Sequence, residues 1–370
     1  MPHGAGSKKR KLEARAQSEQ NGYTDTSKPT AVFKPGKGRS HTLSIALPSS
    51  IVAKQVPPCQ THDLKTSLIG HIARSLAVFS VDEIILFSDA TPLPPRDPSY
   101  AASDAESGYT GFSSPTDFMH HLLSYLETPP YLRRALFPMH PDLRTAGALP
   151  SLDLPSHLKA GEWCPYREGV TLPSSNMGGK GGTKVDCGLQ CRVTIEDEVE
   201  AGTRVTVKLP AWLETRQLGK GEEVRAEAVR PEAPREEGGY YWGYQVRVAG
   251  SLSEVWTGAE VEGGYDVSVG TSERGEDIVG LLERSREGEE GGVPRGWRHL
   301  LVVFGGVAGL EKALEGDEEL RRKVGDVSEV FDHWVNLVPG QGSRTIRTEE
   351  AVWLGLMGLR ELVVARDREG

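Results

Sequence analysis

The 370 residues predict an α/β fold interrupted by a small β-barrel, with a disordered basic tail ahead of both. Three observations predict it. A strand, an amphipathic helix and a second strand follow one another between residues 41 and 87. The hydrophobic period changes to two from about Glu162, and after Glu260 the chain returns to apolar runs that end in glycine-bearing loops. A chain of this length exceeds what one hydrophobic core usually organises. Two folded units are therefore expected, one discontinuous at residues 40–160 and 256–370 and the other at 161–255.

The tail, residues 1–39, carries nine Lys or Arg against three Asp or Glu, a net of +6, so the formal total of −9 leaves −15 for the remainder. Lys8, Lys9, Arg10 and Lys11 are consecutive, with almost no apolar residues around them. That composition suits a disordered segment that contacts nucleic acid or an import receptor, or one that only solubilises. No run approaches the roughly 18 apolar residues of a membrane-spanning helix, and the N-terminus lacks the apolar core of a secretory signal. A soluble intracellular protein is expected. Cys59, Cys164, Cys187 and Cys191 are too few and too scattered for a disulfide framework.

In HTLSIALP (41–48), Leu43, Ile45 and Leu47 alternate, the mark of a strand. After a loop containing Pro57 and Pro58, Leu64, Leu68, Ile72, Leu76 and Phe79 recur at spacings of three and four, predicting a helix from about Asp63 to Phe79. Val81 to Phe87 is the next strand, and strand, helix, strand in this order builds a parallel sheet through a right-handed crossover. Residues 90–116 are rich in Pro, Ser, Ala and Asp without periodicity, and read as a loop or disordered insert. Helical spacing resumes over Asp117 to Leu126; Pro129 and Pro130 end it before a short helix at Tyr131 to Phe137.

Val185, Cys187, Leu189, Cys191, Val193 and Ile195 then share one parity, as do Val205, Val207 and Leu209, and again Trp242, Tyr244, Val246 and Val248. Three amphipathic strands are predicted, the last two separated by a charged, mobile segment from Glu214 to Gly239. Short strands inside an α/β chain point to an inserted barrel of OB type, which binds oligonucleotides or merely packs. Tyr265 to Val269 is a strand leading into Gly270–Gly275, and a charged stretch, Glu283 to Gly296, precedes the strand that opens HLLVVFGG (299–306). Thr348 to Leu362 is a largely apolar helix with Glu349 and Glu350 at its start.

Several chemistries lose their support. Cys187 and Cys191 have no second close pair, and His120 and His121 have no further His or carboxylate at ligand spacing, so no metal is expected. GxSxG is absent and no cysteine sits in a nucleophile motif, which leaves covalent catalysis unsupported. Gly340, Gln341, Gly342, Ser343, Arg344, Thr345 fails GxGxxG at the third glycine, and no P-loop occurs. What remains are three glycine-bearing loops after three strands: Gly270 to Gly275, Gly305 with Gly306, and Pro339 to Arg347. Turn chemistry accounts for any one of them. Three in the C-terminal third, two with arginines and one feeding a helix start, favour a ligand carrying a carboxylate or phosphate, with Arg274, Arg344 and Arg347 as anion partners.

HTLSIALP, HIARSLAVFSVDEIILF, YLRRALFP, GTSERG, LVVFGGVAGLE and NLVPGQGSRTIRTEEA together resemble the SPOUT class of RNA methyltransferases, in the branch with an inserted OB-like domain. The resemblance runs from about Ser40 to Leu362 and is interrupted at 90–116, 214–239 and 283–296. It implies an α/β domain whose C-terminal part is tied in a trefoil knot, S-adenosyl-L-methionine bound in that knot, and a homodimer. It also implies a cofactor pocket made by Thr271, Arg274, Gly305, Gly306, Asn336, Leu337, Gly340, Gln341, Gly342, Ile346 and Thr348. The expected reaction is methylation of a base, with uridine N3 the candidate, in ribosomal or other large RNA. Arg274 and Arg344 are the catalytic candidates, stabilising the anionic base that forms when its proton leaves. The expected location is nuclear or nucleolar, with the cytoplasm as a further compartment. Some relatives are linked to the mitotic spindle and centromere, which keeps open an adaptor that binds RNA or protein without catalysis.

Overall fold

A computed structural model describes residues 35, 37–53, 61–89, 113–173, 182–216 and 221–369. Lys8 to Lys11, Pro57, Pro58, Cys59 and most of the 90–116 segment lie outside the described residues. The chain builds two six-stranded sheets. Strands β1 (Thr42–Pro48) and β2 (Glu83–Phe87) start the first. The second contains β3 (Tyr166–Thr171), β4 (Thr183–Asp186), β5 (Arg192–Ile195), β6 (Arg204–Lys208), β7 (Glu223–Arg225) and β8 (Glu227–Val229). Strands β9 (Gln245–Ala249), β10 (Val267–Asp277), β11 (His299–Val303) and β12 (His333–Asn336) complete the first, in the order β12-β10-β11-β1-β2-β9, every pairing parallel.

A parallel sheet needs cover on both faces, and the side chains comply. Ile45, Leu47, Ile84, Val269 and Val302 point to one face, where α1 (His62–Val78), α2 (Pro115–Glu127), α4 (Ile278–Glu287), α6 (Thr348–Gly358) and α7 (Arg360–Glu369) contribute Leu68, Leu122, Leu281, Val352 and Leu362. A short helix, α3 (Pro130–Leu136), follows α2. Ala46, Ile85, Leu301 and Val303 point to the other face, against Leu252, Val255 and the Leu310 and Ala313 of α5 (Gly309–Gly316). Residues of consecutive number thus fall in separate cores, as the two-residue period of a strand requires.

The structure departs from the sequence reading at several places. Leu64, placed on the apolar face of α1, is 47% exposed, and Ile69 is buried in its stead. The long strand read through 185–195 is a hairpin: β4 and β5 pair antiparallel, with Cys187, Leu189 and Cys191 in the connection. The charged segment Glu214–Gly239 holds β7, β8 and a helical turn at Ala233–Glu236. Most consequentially, β9, read as the third strand of the insert, pairs parallel with β2 in the first sheet. Alternating parity identified a strand there but could not say which sheet receives it. The closing helix also breaks at Leu359 into α6 and α7, and the charged stretch from Glu283 begins inside α4.

The second sheet runs β7-β5-β4-β3-β6-β8, antiparallel except where β5 meets β7. Its two outermost strands, β7 and β8, are separated in sequence by Ala226 alone, so the sheet curls until its edges lie side by side. Val185, Val193, Ile195 and Val207 fill the interior.

A buried polar cluster fastens this sheet to the first. Arg204 of β6 donates to both Glu127 carboxylate oxygens at 2.6 and 3.0 Å and to Glu168 of β3 at 2.7 Å. Glu168 also accepts from Thr206 at 2.7 Å and the Trp242 indole at 2.6 Å. Burial opposes the charge on Arg204, but Glu127 and Glu168 outweigh it and hold the guanidinium above its ordinary pKa. Beside this cluster, His157 Nε2 donates to the Glu127 carbonyl at 2.7 Å while its buried Nδ1 has no partner, so protonation there would strand an N–H in the interior. Burial lowers the His157 pKa from 6.5 to about 4. The neutral ring therefore contributes stability that is complete above pH 6.5 and is lost as pH falls toward 4. Urea unfolding at the two ends of that window should show the wild type losing more stability than His157→Gln, which cannot take up the proton.

Candidate functional site

The strand order makes one place in the first sheet special. After β10 the chain crosses the first face through α4, and after β1 it crosses the same face through α1. After β11, which lies between them, it leaves through α5 on the opposite face. Connections that part in this way open a crevice beyond the carboxyl ends of the strands, the usual ligand position in open α/β sheets. The three glycine-bearing segments singled out in the sequence lie there, but Gly270–Gly275 is not a loop after a strand: it lies inside β10, where the register against β12 shifts between Thr271 and Glu276.

Four contacts tie them together. Thr271 Oγ1 of β10 donates to the Val303 carbonyl of β11 at 3.1 Å. Thr348 Oγ1, first residue of α6, donates to the Gly305 carbonyl at 3.1 Å. Asn336 Nδ2 at the end of β12 donates to the Glu273 carbonyl at 2.9 Å, and its Oδ1 accepts the Val338 N–H at 3.0 Å. Arg274 reaches Glu311 of α5 at 3.3 Å, an exposed ion pair with Arg274 73% accessible, so little holds its guanidinium in place. In the third loop, the Gln341 side chain donates to the Ser343 carbonyl at 3.0 Å, and Arg344 is exposed. Leu337 and Ile346 are half-buried. Arg347 sits at the N-cap of α6, where its N–H donates to Glu350 at 2.9 Å. Thr271, Arg274, Gly305, Asn336, Gln341 and Thr348 thus belong to one linked group of loops.

The glycines divide in a way the sequence could not show. Gly275 faces the Val335 backbone so closely that a Cβ would sit 2.3 Å from its carbonyl carbon, which is where β10 slips register against β12. This glycine serves chain packing. Gly340, at φ +73°, and Gly342 have nothing within 4 Å of a Cβ position, so their side faces open space. Gly306 lies under Ser50, Pro48 and Asp89, with Asp89 Oδ2 3.6 Å from the Cβ position.

That last contact adds two residues which the sequence reading missed. Asp89, 6% exposed after β2, accepts the Ser50 N–H at 3.2 Å and the Ser50 hydroxyl, placing a carboxylate over the Gly306 turn. No local motif announces it; the signal was its position just past a strand end in a parallel sheet.

Two cavities lie away from the crevice. One, of about 280 Å³, is bounded by Trp256, Leu320 and Val330; the other, of about 460 Å³ and bounded by Arg39, His41, Trp297 and Arg360, lies before the strands begin rather than where they end. The crevice, where the glycine-bearing segments meet beyond the strand ends, is the candidate site.

A sequence profile of the family described as "Putative RNA methyltransferase" matches residues 42–359, nearly all of the folded chain. The chain belongs to this family. Among its curated relatives, the human 28S rRNA (uridine-N(3))-methyltransferase is 39% identical over 94% of this chain and 85% of its own length. Proteins of the same description are 38% identical in Mus musculus, over 88% of this chain and 78% of that protein, and 40% identical in Drosophila melanogaster, over 88% and 63%. The chain therefore spans less than two thirds of the fly protein. The matched stretch contains both sheets and every segment of the crevice. No described helix is long and apolar enough to cross a membrane.

The tie between α6 and the β11 turn should be measurable. Thr348→Val leaves the Gly305 carbonyl without its partner and should cost about 1 kcal/mol in denaturant unfolding, whereas Thr348→Ser, which keeps the hydroxyl, should cost about half that or less.

Proposed function

We propose that the chain is an S-adenosyl-L-methionine-dependent methyltransferase that modifies N3 of a uridine in large-subunit ribosomal RNA. The observation that carries the reading is the crevice at β11, where loops matched by the family profile meet and two glycines face open space. The curated relatives' descriptions supply the acceptor. In the same reading the first sheet is a SPOUT-type domain with its C-terminal segment knotted, working as a homodimer, and the second is an OB-like barrel, supported by the meeting of its edges at Ala226. In this reading the protein works in the nucleus or nucleolus, with the cytoplasm as a further compartment.

The residues present fit the cofactor. Thr271, Gly305, Gly306, Asn336, Leu337, Gly340, Gln341, Gly342, Ile346 and Thr348 offer backbone polar groups and unfilled volume beside Gly340 and Gly342. When bound, S-adenosyl-L-methionine supplies an already activated methyl group. The chain is then left with positioning and charge. Uridine must release its N3 proton to solvent to become nucleophilic, and the anion spreads over the ring carbonyls. Arg274 and Arg344 are exposed and loosely held, free to turn toward that charge and stabilise it.

The cofactor reading is tested by calorimetric titration with S-adenosylhomocysteine. The wild type should bind, and Gly342→Trp, whose indole enters open space without disturbing the fold, should lose that binding while unfolding like the wild type. Failure of the wild type to bind removes the enzymatic reading; equal binding by both moves the pocket elsewhere. Mass-spectrometric mapping of ribosomal RNA from cells lacking the protein should show one missing N3-methyluridine. An unchanged profile favours a binding role without catalysis.

A further inference from the structure

Outside the crevice, His121 of α2, His140 and Asp142 bring one ligand atom each to within 4.8 Å of one another. The sequence hid this grouping, because His121 looked unaccompanied on its helix and its partners arrive from beyond α3. Asp142 Oδ2 lies 3.3 Å from His121 Nδ1 and 3.2 Å from His140 Nδ1. In a tetrahedron with zinc–ligand bonds near 2.0–2.1 Å, ligand atoms stand about 3.3 Å apart. The two measured edges match that spacing.

The electrostatics point the same way. The Asp142 side chain is 3% exposed, and among the described residues no Lys or Arg pairs with it. A buried carboxylate without a cation is costly. The Asp142 backbone N–H reaches His140 Nδ1 at 3.3 Å, a long bond to the one lone pair of that nitrogen, and coordination of a cation through Nδ1 would take its place. The supporting contacts are those a metal ligand set uses. Ser113 donates its hydroxyl to Asp142 Oδ2 at 2.6 Å, and the His121 ring stacks on Phe137 at 5.8 Å between centroids, fixing its plane. The His140 side chain is 40% exposed and leaves the fourth position to water.

We propose that His121, His140 and Asp142 form a divalent-metal site, with Zn²⁺ the matching ion, that pins the segment around Asp142 to α2. Imidazole and carboxylate donors in tetrahedral spacing suit this ion better than Mg²⁺ or Ca²⁺, which require more oxygen ligands.

The experiment uses the full chain, purified without a polyhistidine tag or chelator, with zinc measured by elemental mass spectrometry and by competition against a chromophoric chelator. The wild type should hold one Zn²⁺ per chain. His140→Ala, at a half-exposed position that the fold tolerates, should weaken Zn²⁺ binding at least about tenfold. His120→Ala, on the same helix but outside the cluster, should bind like the wild type. Thermal unfolding of all three, with and without added Zn²⁺, should show stabilisation in the wild type and His120→Ala alone. A wild type that binds no Zn²⁺ at micromolar concentration, or a His140→Ala protein that binds it as tightly as the wild type, overturns the proposal.

Discussion

The parallel sheet buried on both faces is the constraint on which the rest depends. It forces each strand to surrender its two rows of side chains to different helices, so the ends of strands are left for everything else. At β11 the connection turns to the face opposite that used by its neighbours, and the irregular stretch of β10 and the loops after β11 and β12 are drawn to one crevice. Backbone carbonyls of Val303 and Gly305, rather than charged side chains, are the anchors that hold those loops in register. A site built this way is rigid where it is bonded and open where Gly340 and Gly342 stand.

The second sheet is attached by a different kind of force. Its interior is apolar, but its link to α2 runs through Arg204, Glu127 and Glu168, supported by Tyr131 donating to the Glu168 carbonyl at 2.8 Å. Buried ion pairs add little net stability over apolar packing, yet they tolerate very few relative orientations. The cluster therefore acts as an orienting joint between the sheets. Residues 40–370 carry a net negative charge, so the basic groups that could meet a polyanion are arranged by how the two sheets are oriented.

How much of this was legible in the sequence depends on the range of the interaction concerned. The strands at 42–48 and 83–87 and the helix between them were read from their own periodicity, which local side-chain pattern determines. The glycine loops were likewise visible, and the structure brings them together. Periodicity could not reveal that β9 leaves the insert for the first sheet, since a strand's alternation is the same whichever neighbour it finds. Nor could it separate Gly275, closed against Val335, from Gly342, open to space. Asp89 and the His121, His140, Asp142 group were illegible for the same reason: each is assembled from segments that only the fold makes adjacent.

The pairing of β2 with β9 has a consequence for how such a chain can come to exist. The strand before the excursion into the second sheet and the strand after it are hydrogen-bonded neighbours, from Glu83 against Gln245 to Phe87 against Ala249. In the chain, the whole second sheet is thus inserted at one seam of the first. Segments inserted at such a seam can lengthen, shrink or be exchanged without rethreading the sheet that receives them. The crevice at β11, two strands away, can keep its geometry while the attached module changes what it is offered.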